Sequence, residues 1–258
     1  MSDSIGLAVN FYREPNTLPG LLENASRFFD DILMVSAPPV GAPPDDESIA
    51  IIEKYGARII HTNIDAGFGV VRTKCLHESS TEWVLISDGD ERFFNTLPLY
   101  AISGTGRYPE NLVPNLHVGI LNPAHAQGDR LRHIVKHECH PETMAVRLCR
   151  RHWMDWGMHS PCQDWRQHND WQLRFLRNRP HIGYRSEVKM HEQCVDLKTG
   201  RDPVYATGDI TSGPFIDHFH VPAKLMEPDQ RREDIAIYDA LHSGSTIGMW
   251  VTQGLDNE

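Results

Sequence analysis

At 258 residues, 40% of them hydrophobic and 23% charged, the chain has a globular composition and is long enough to bury a core without disulfide or metal staples. It has no apolar run near the roughly 18 residues of a membrane helix and no basic-then-apolar leader at its start. Its five cysteines are too few and too odd in number for a disulfide framework, so a cytoplasmic protein is expected. The net charge of −10 argues against a protein that coats nucleic acid indiscriminately, but it is unevenly spread. Residues 1–100 carry 7 Lys/Arg against 15 Asp/Glu, residues 130–189 carry 12 against 6 with seven histidines, and residues 221–258 carry 3 against 7. The middle segment reads as built for a different partner from the two ends.

In chain order, Ile5 to Val9 is a short apolar run with the length of a buried strand. Asn16-Thr17 can open a helix, after which Leu18, Leu21, Leu22, Ala25 and Phe29 recur at helical spacing. Asp31 to Val35 predicts a second strand, and the proline-rich stretch 37–44 ends it. Asp46 is a candidate cap for a helix bearing Ile49, Ile51, Ile52 and Tyr55 and stopped by Gly56. Ala57 to His61 is a third strand, Gly67 opens a helix through about His77, and Trp83 to Ser87 is a fourth strand that runs into Asp88-Gly-Asp-Glu91. Further on, Leu116 to Leu121, Met144 to Leu148 and Trp171 to Leu176 read as strands, and residues 229–242 as a late helix with Ile235, Ile237, Tyr238 and Leu241 near one face. Strand–helix alternation of this kind predicts an α/β layer architecture, with no internal repeat.

The sharpest chemical signal is Asp88-Gly89-Asp90-Glu91. Open α/β sheets place ligands at the carboxyl ends of strands. Alternate residues leaving a strand project to one side, so Asp88 and Asp90 can converge, and Gly89 lets a ligand approach the backbone. Two hard carboxylates there suit Mg²⁺ or Mn²⁺ holding phosphate oxygens. Asp-Gly is also an ordinary turn pair, so the tetrapeptide alone does not decide between the two.

With the strand–helix pattern before it and "DAGFGVVRTKCLHESSTEWVLISDGDERF" around it, this segment resembles the nucleotide-binding half of family 2 glycosyltransferases, in which a strand ends in Asp-Ala-Asp-Glu. "QLRFLRNRPHIGYRSEVKMHEQ" at 172–193 and Ile216-Asp-His-Phe-His220 resemble later blocks of a bacterial or phage branch of that family. The resemblance implies a GT-A-like fold with a mostly parallel central sheet flanked by helices and a less regular α+β acceptor-side half. One domain would span 1–258, with a nucleotide-sugar-binding half over 1–100, an acceptor-side half over 101–220 and a C-terminal helical segment over 221–258. It further implies a metal-dependent transferase that moves a sugar from a nucleotide-sugar donor to an acceptor that is a glycan, a protein or modified DNA, with Mn²⁺ or Mg²⁺ as cofactor. Asp90, His218 and His220 would hold the metal, and Asn10, Arg13, Asp65, Arg72 and Asp88 the donor. If transfer inverts the anomeric centre, a carboxylate must take the acceptor's proton, and Glu192, then Asp170, are the candidates. The family's Asp-rich segment after the second strand is displaced here, since that strand ends in Val35-Ser36-Ala-Pro-Pro and Asp45 and Asp46 follow some ten residues on.

Trp153, Trp156, Trp165 and Trp171 fall within 19 residues, with arginines between them. Such a cluster could stack on an acceptor, anionic or nucleic acid such as modified phage DNA, or simply fill a second core. Cys149-x-x-His152 and His159-x-x-Cys162 have pairwise zinc-ligand spacing, though the gap between the pairs is short. Two other classes compete with the transferase. A nucleotidyltransferase would need a Gly-rich phosphate loop near the first strand, which Asn10-Phe-Tyr-Arg-Glu-Pro lacks. A non-catalytic nucleic-acid or glycan-binding module would rest on the basic, Trp-rich middle.

Overall fold

The computed structural model describes residues 4–26, 28–43, 45–93, 131–152, 169–186, 193–207 and 215–218. The strand predicted at 116–121 and the helix at 229–242 lie outside them. Strands β1 (Ile5–Phe11), β2 (Asp31–Ser36), β3 (Arg58–His61) and β4 (Trp83–Asp88) alternate with helices α1 (Leu18–Ala25), α2 (Asp46–Lys54) and α3 (Phe68–Glu78). Then come the two-residue β5 (Glu91–Arg92), a π-helical turn at Ile134–Glu138, the long strands β6 (Ala145–His152) and β7 (Asn169–Arg177), and the short β8 (Ile182–Tyr184), β9 (Cys194–Asp196), β10 (Tyr205–Thr207) and β11 (Phe215–His218).

The nine-stranded sheet runs β3-β2-β1-β4-β7-β6-β11-β5, with β10 beside β6. The first four strands are parallel, with β1 central, because each returns through a helix. β7 enters antiparallel between β4 and β6. The α/β class expected from the sequence, a mostly parallel central sheet flanked by helices, is what this strand order shows.

Two apolar layers hold the sheet. On one face Leu7, Val9, Leu85 and Phe175 pack against Leu18, Leu21 and Leu22 of α1; on the other Ala8, Val35, Val84 and Ile86 pack against Val71, Cys75 and Leu76 of α3. Both faces being covered explains why β1 and β4 read as continuous apolar runs.

Local chemistry sets the element ends. Pro19 falls in the first turn of α1, where a missing N–H costs nothing. The cap of α2 is Asp45 rather than Asp46, its carboxylate accepting from Ser48 N. Gly56 follows that helix at φ +69° and Gly67 opens α3 at φ +93°, a left-handed region that other residues rarely enter. The first helix stops at Ala25, short of Phe29.

Two irregularities shape the functional end. β4 pairs with β1 as far as Asp88 but with β7 only as far as Leu85, so the sheet splits beyond that point. In the β6–β7 ladder Val146 faces Phe175 and Arg147 faces Leu173, which leaves Arg174 as a bulge beside the split. In addition, β5 follows β4 after only Gly89 and Asp90, yet pairs with β11 at the far end of the strand path. The sheet must therefore curl until its end strand comes back beside β4, and the Gly89-Asp90 turn bridges the gap.

Candidate active site

The strand order reverses at β1, with β2 and β3 to one side and β4 to the other, so the carboxyl ends of β1 and β4 form a topological switch point. Asn10 and Asp88 are register partners there. Asn10 Oδ1 is buried and has no hydrogen-bond partner among the described residues. Asp88 lies on the α3 face. Arg72 Nη2 of α3 donates to Asp88 Oδ1 at 2.7 Å and Arg174 Nη2 of the bulge to Oδ2 at 3.2 Å. Both guanidiniums are buried, and Arg174 also reaches Ile86 O at 3.5 Å, in the split between β4 and β7. The Asp88 carboxylate is thus held from both sides by charge-assisted bonds.

Glu91 lies on the opposite, α1 side of the turn and is fully buried. Its Oε2 accepts from Ser87 Oγ at 2.8 Å and from Asp88 N at 3.1 Å, while Arg150 Nη1 stands 3.5 Å from Oε1. Burial first, and then the charges of Asp88 and Asp90, push the Glu91 carboxyl up to about 8 against the pull of Arg150. Because this folded value lies above the ordinary 4.5, Glu91 contributes stability that is full below pH 4.5 and lost as pH rises to about 8. In EDTA, the wild-type melting temperature should therefore fall across that window more steeply than that of Glu91→Gln; parallel curves would remove Glu91 as the cause.

Asp90 sits on the bridge itself. Its Oδ2 is 3.3 Å from Nε2 of His218, the last residue of β11. β11 is placed by the β6 ladder and by a buried pair in which Arg151 Nε and Nη2 each donate to Asp217 at 2.7 Å. Arg92 underlies the turn, donating to Gly89 O at 3.0 Å, Glu91 O at 2.7 Å and Thr17 O at 2.8 Å. Burial pulls Arg92 down to about 10, against Asp90 and Glu14. The Glu14 carboxylate lies over Gly89 so closely that a Cβ there would collide with it. Here glycine serves close approach.

Other predicted donor residues line the same end of the sheet. Arg13 follows β1 at φ +56°, an unusual conformation for a side-chain-bearing residue, and its N–H donates to Asp45 Oδ2 at 2.5 Å. Asp45 thereby both caps α2 and fixes the β1 loop. Asp65 lies between β3 and α3 and accepts from Val40 N at 2.9 Å, tethering the proline-rich loop.

Asp170 is the register partner of Arg150 on β7. Trp171, the register partner of Cys149, is half-buried. Strand alternation separates Cys149 from His152, three apart on a regular part of β6, so they cannot converge on one zinc ion. Glu192, His220, Trp153, Trp156 and Trp165 lie outside the described residues, as do His159 and Cys162. Burial pushes the Cys75 and Cys194 thiols up to about 12 and Cys139 to about 11, unsuited to thiolate chemistry.

Among the described residues, no group of three or more His, Cys, Asp or Glu side chains is arranged to hold a metal ion by itself. Asp90 with His218 supplies two donors, a set that fits Mn²⁺ or Mg²⁺ where phosphate and water complete the shell. No described helix is long and apolar enough to cross a membrane.

No protein-family model matches the sequence, and no curated protein matches it. Among solved structures, the chain is similar over 97% of its length to residues 1–349 of S. aureus TarS, covering 68% of that chain at 14% identity and a TM-score of 0.47. It spans 46% of the longer S. aureus TarS structure, at 12% identity and a TM-score of 0.46. A mannosyltransferase, PcManGT from Pyrobaculum calidifontis, in complex with GDP-Man and Mn²⁺, is similar over 96% of this chain and 72% of its own, at 14% identity and a TM-score of 0.46.

Proposed function

We propose that the protein is a metal-dependent glycosyltransferase that moves a sugar from a nucleotide-sugar donor to an acceptor. The observation that supports this most is the meeting of Asp90 and His218, from distant parts of the sequence, at a sheet switch point where Asp88 is already fixed by two buried arginines. Such an arrangement suits a nucleoside diphosphate as the leaving group. Asp88, oriented by Arg72 and Arg174, would accept hydrogen bonds from donor hydroxyls; Asn10 Oδ1, Arg13 and Asp65 would border the nucleoside. Asp90 and His218, with His220, would hold the cation, which when bound neutralises charge on the leaving diphosphate. In the inverting form of the reaction the acceptor oxygen attacks the anomeric carbon. The bond from that carbon to the diphosphate oxygen breaks with its electron pair, and Glu192 or Asp170 takes the acceptor proton.

The charge argument for an anionic acceptor weakens in three dimensions. Five basic residues of the 130–189 segment, Arg132, Arg151, Arg174, Arg177 and Arg179, pair with Asp30, Asp217, Asp88 and Glu82. Burial raises the Glu82 carboxyl, but Arg177 and Arg179 outweigh it and hold the group below its ordinary range. Part of the positive middle thus answers the negative first hundred residues, which weakens charge alone as an argument for a nucleic-acid acceptor.

A thermal-shift screen of UDP-, GDP-, CMP- and dTDP-sugars, each with Mn²⁺ or with EDTA, tests the donor reading. A ligand that binds only the folded state raises the melting temperature with its concentration over Kd. One nucleotide is expected to shift it in Mn²⁺ and not in EDTA. Binding of oligonucleotides or glycans with no nucleotide-sugar shift, unaffected by Asp90→Ala, would favour a non-catalytic binding module instead.

A further inference from the structure

His152 and His218 close the ends of β6 and β11 as register partners. Their rings stand edge to face, centroids 4.7 Å apart at 82°, with the two Nδ1 atoms 2.7 Å from each other. Two imidazole nitrogens at that distance share one proton, one ring donating and the other accepting. The other end of the His218 ring is Nε2, which lies 3.3 Å from Asp90 Oδ2. Since a neutral imidazole carries one N–H, the two ends are linked. If His152 donates, the His218 proton sits on Nε2 and points at the Asp90 carboxylate, leaving no lone pair for a cation. If His218 donates from Nδ1, its Nε2 lone pair and the carboxylate face the same point, where a divalent ion satisfies both.

We propose that His152 is a positioning residue that accepts the Nδ1–H of His218 and so holds the His218 Nε2 lone pair toward Asp90 for a divalent cation. The inference rests on the reading of Asp90 and His218 as metal ligands. Histidine ligands are commonly oriented by a partner on the distal nitrogen, and loss of such a partner typically costs about 10–100-fold in metal affinity. The β6–β11 ladder fixes where both histidines stand, and the buried Arg151–Asp217 pair one residue earlier locks that ladder. His152 therefore acts from a rigid strand end, which a hydrogen bond that must choose a tautomer requires. Strand alternation places His152 and Cys149 on opposite faces of β6, so the two do not share one ion.

The test titrates the full chain with Mn²⁺ alone and reads free Mn²⁺ by electron paramagnetic resonance. His152→Leu should bind about 10–100-fold more weakly than wild type. His152→Asn, whose Oδ1 can take the place of Nδ1 as acceptor, should recover most of the affinity. Nitrogen-15 NMR of the wild type with Mg²⁺ should show His218 protonated at Nδ1, a readout independent of any variant's folding. Spin-echo spectra of bound Mn²⁺ should show as many coordinated imidazole nitrogens in His152→Asn as in the wild type. Unchanged affinity in His152→Leu, or coordination by both rings, would overturn the proposal. If Asp90→Ala and His218→Ala lose Mn²⁺ binding while His152→Leu keeps it, the metal site stands and only the role of His152 falls. If those two variants bind like wild type, the metal reading fails and this inference with it.

Discussion

Asp217→Ala should lower the free energy of unfolding by about 3–5 kcal/mol, the usual cost of breaking a buried ion pair from one side. Asp217 is fully buried and takes two 2.7 Å bonds from an Arg151 whose side chain is only 5% exposed. Removing the carboxylate takes two bonds from a buried guanidinium between two paired strands, where water cannot easily replace them. Chemical denaturation measures the loss directly. The double variant Arg151→Met, Asp217→Leu separates pairing from packing, because exchanging both charges for apolar groups of similar volume is often neutral or stabilising. A near-native double variant beside a crippled single one would show that the penalty is the orphaned charge. Equal losses in both would mean that the pair does more than neutralise itself. The pair also has a functional reach, since His218 follows Asp217 on β11 and any slip of that strand moves the imidazole away from Asp90.

The first half of the molecule was legible because its elements obey simple periodicities. β1, α1, β2, α2, β3, α3 and β4 all occur within a few residues of their expected ends, since an apolar run bounded by turn residues has one good solution when helices cover both faces of a parallel sheet. Asp88 and Asp90 were legible for the same reason: they sit at the carboxyl end of a strand that could be recognised. The curl was not. Nothing local says that β5, two residues after β4, pairs with β11, because that pairing depends on strands far along the chain. The sequence block around Arg174 does not by itself mark that arginine as part of the site. Arg174 and Arg177 are three apart in an apolar strand and both buried, but only the bulge reveals that Arg174 is aimed at Asp88 while Arg177 serves Glu82. The charge gradient was visible as arithmetic and misleading as a guide to partners. A basic segment and an acidic segment of one chain can be each other's partner, and Arg132, Arg174, Arg177 and Arg179 reach Asp30, Asp88 and Glu82 of the first hundred residues.

Asp90→Ala should abolish metal-dependent transfer, by roughly 1,000-fold or more, since a cation on a leaving diphosphate is worth several kcal/mol of barrier and each 1.36 kcal/mol is tenfold. The same change should leave the melting temperature in EDTA close to wild type, because the Asp90 side chain keeps 19% of its surface and lies on a connecting turn rather than in a packed layer. That combination is what makes Asp90 a better probe than its neighbours. Asp88→Ala would leave Arg72 and Arg174, each 6% exposed, without their shared carboxylate, so lost activity there could follow from a deformed sheet end. Glu91→Ala would unseat Ser87 Oγ and the Asp88 N–H at once. Donor turnover measured with Mn²⁺, beside melting in EDTA, therefore separates two roles inside one tetrapeptide. If Asp90→Ala is inactive but folded while Asp88→Ala is inactive and destabilised, Asp90 belongs to the cation and Asp88 to the frame that presents the donor. A fully active Asp90→Ala would remove the cation from this turn and with it the transferase reading of the site.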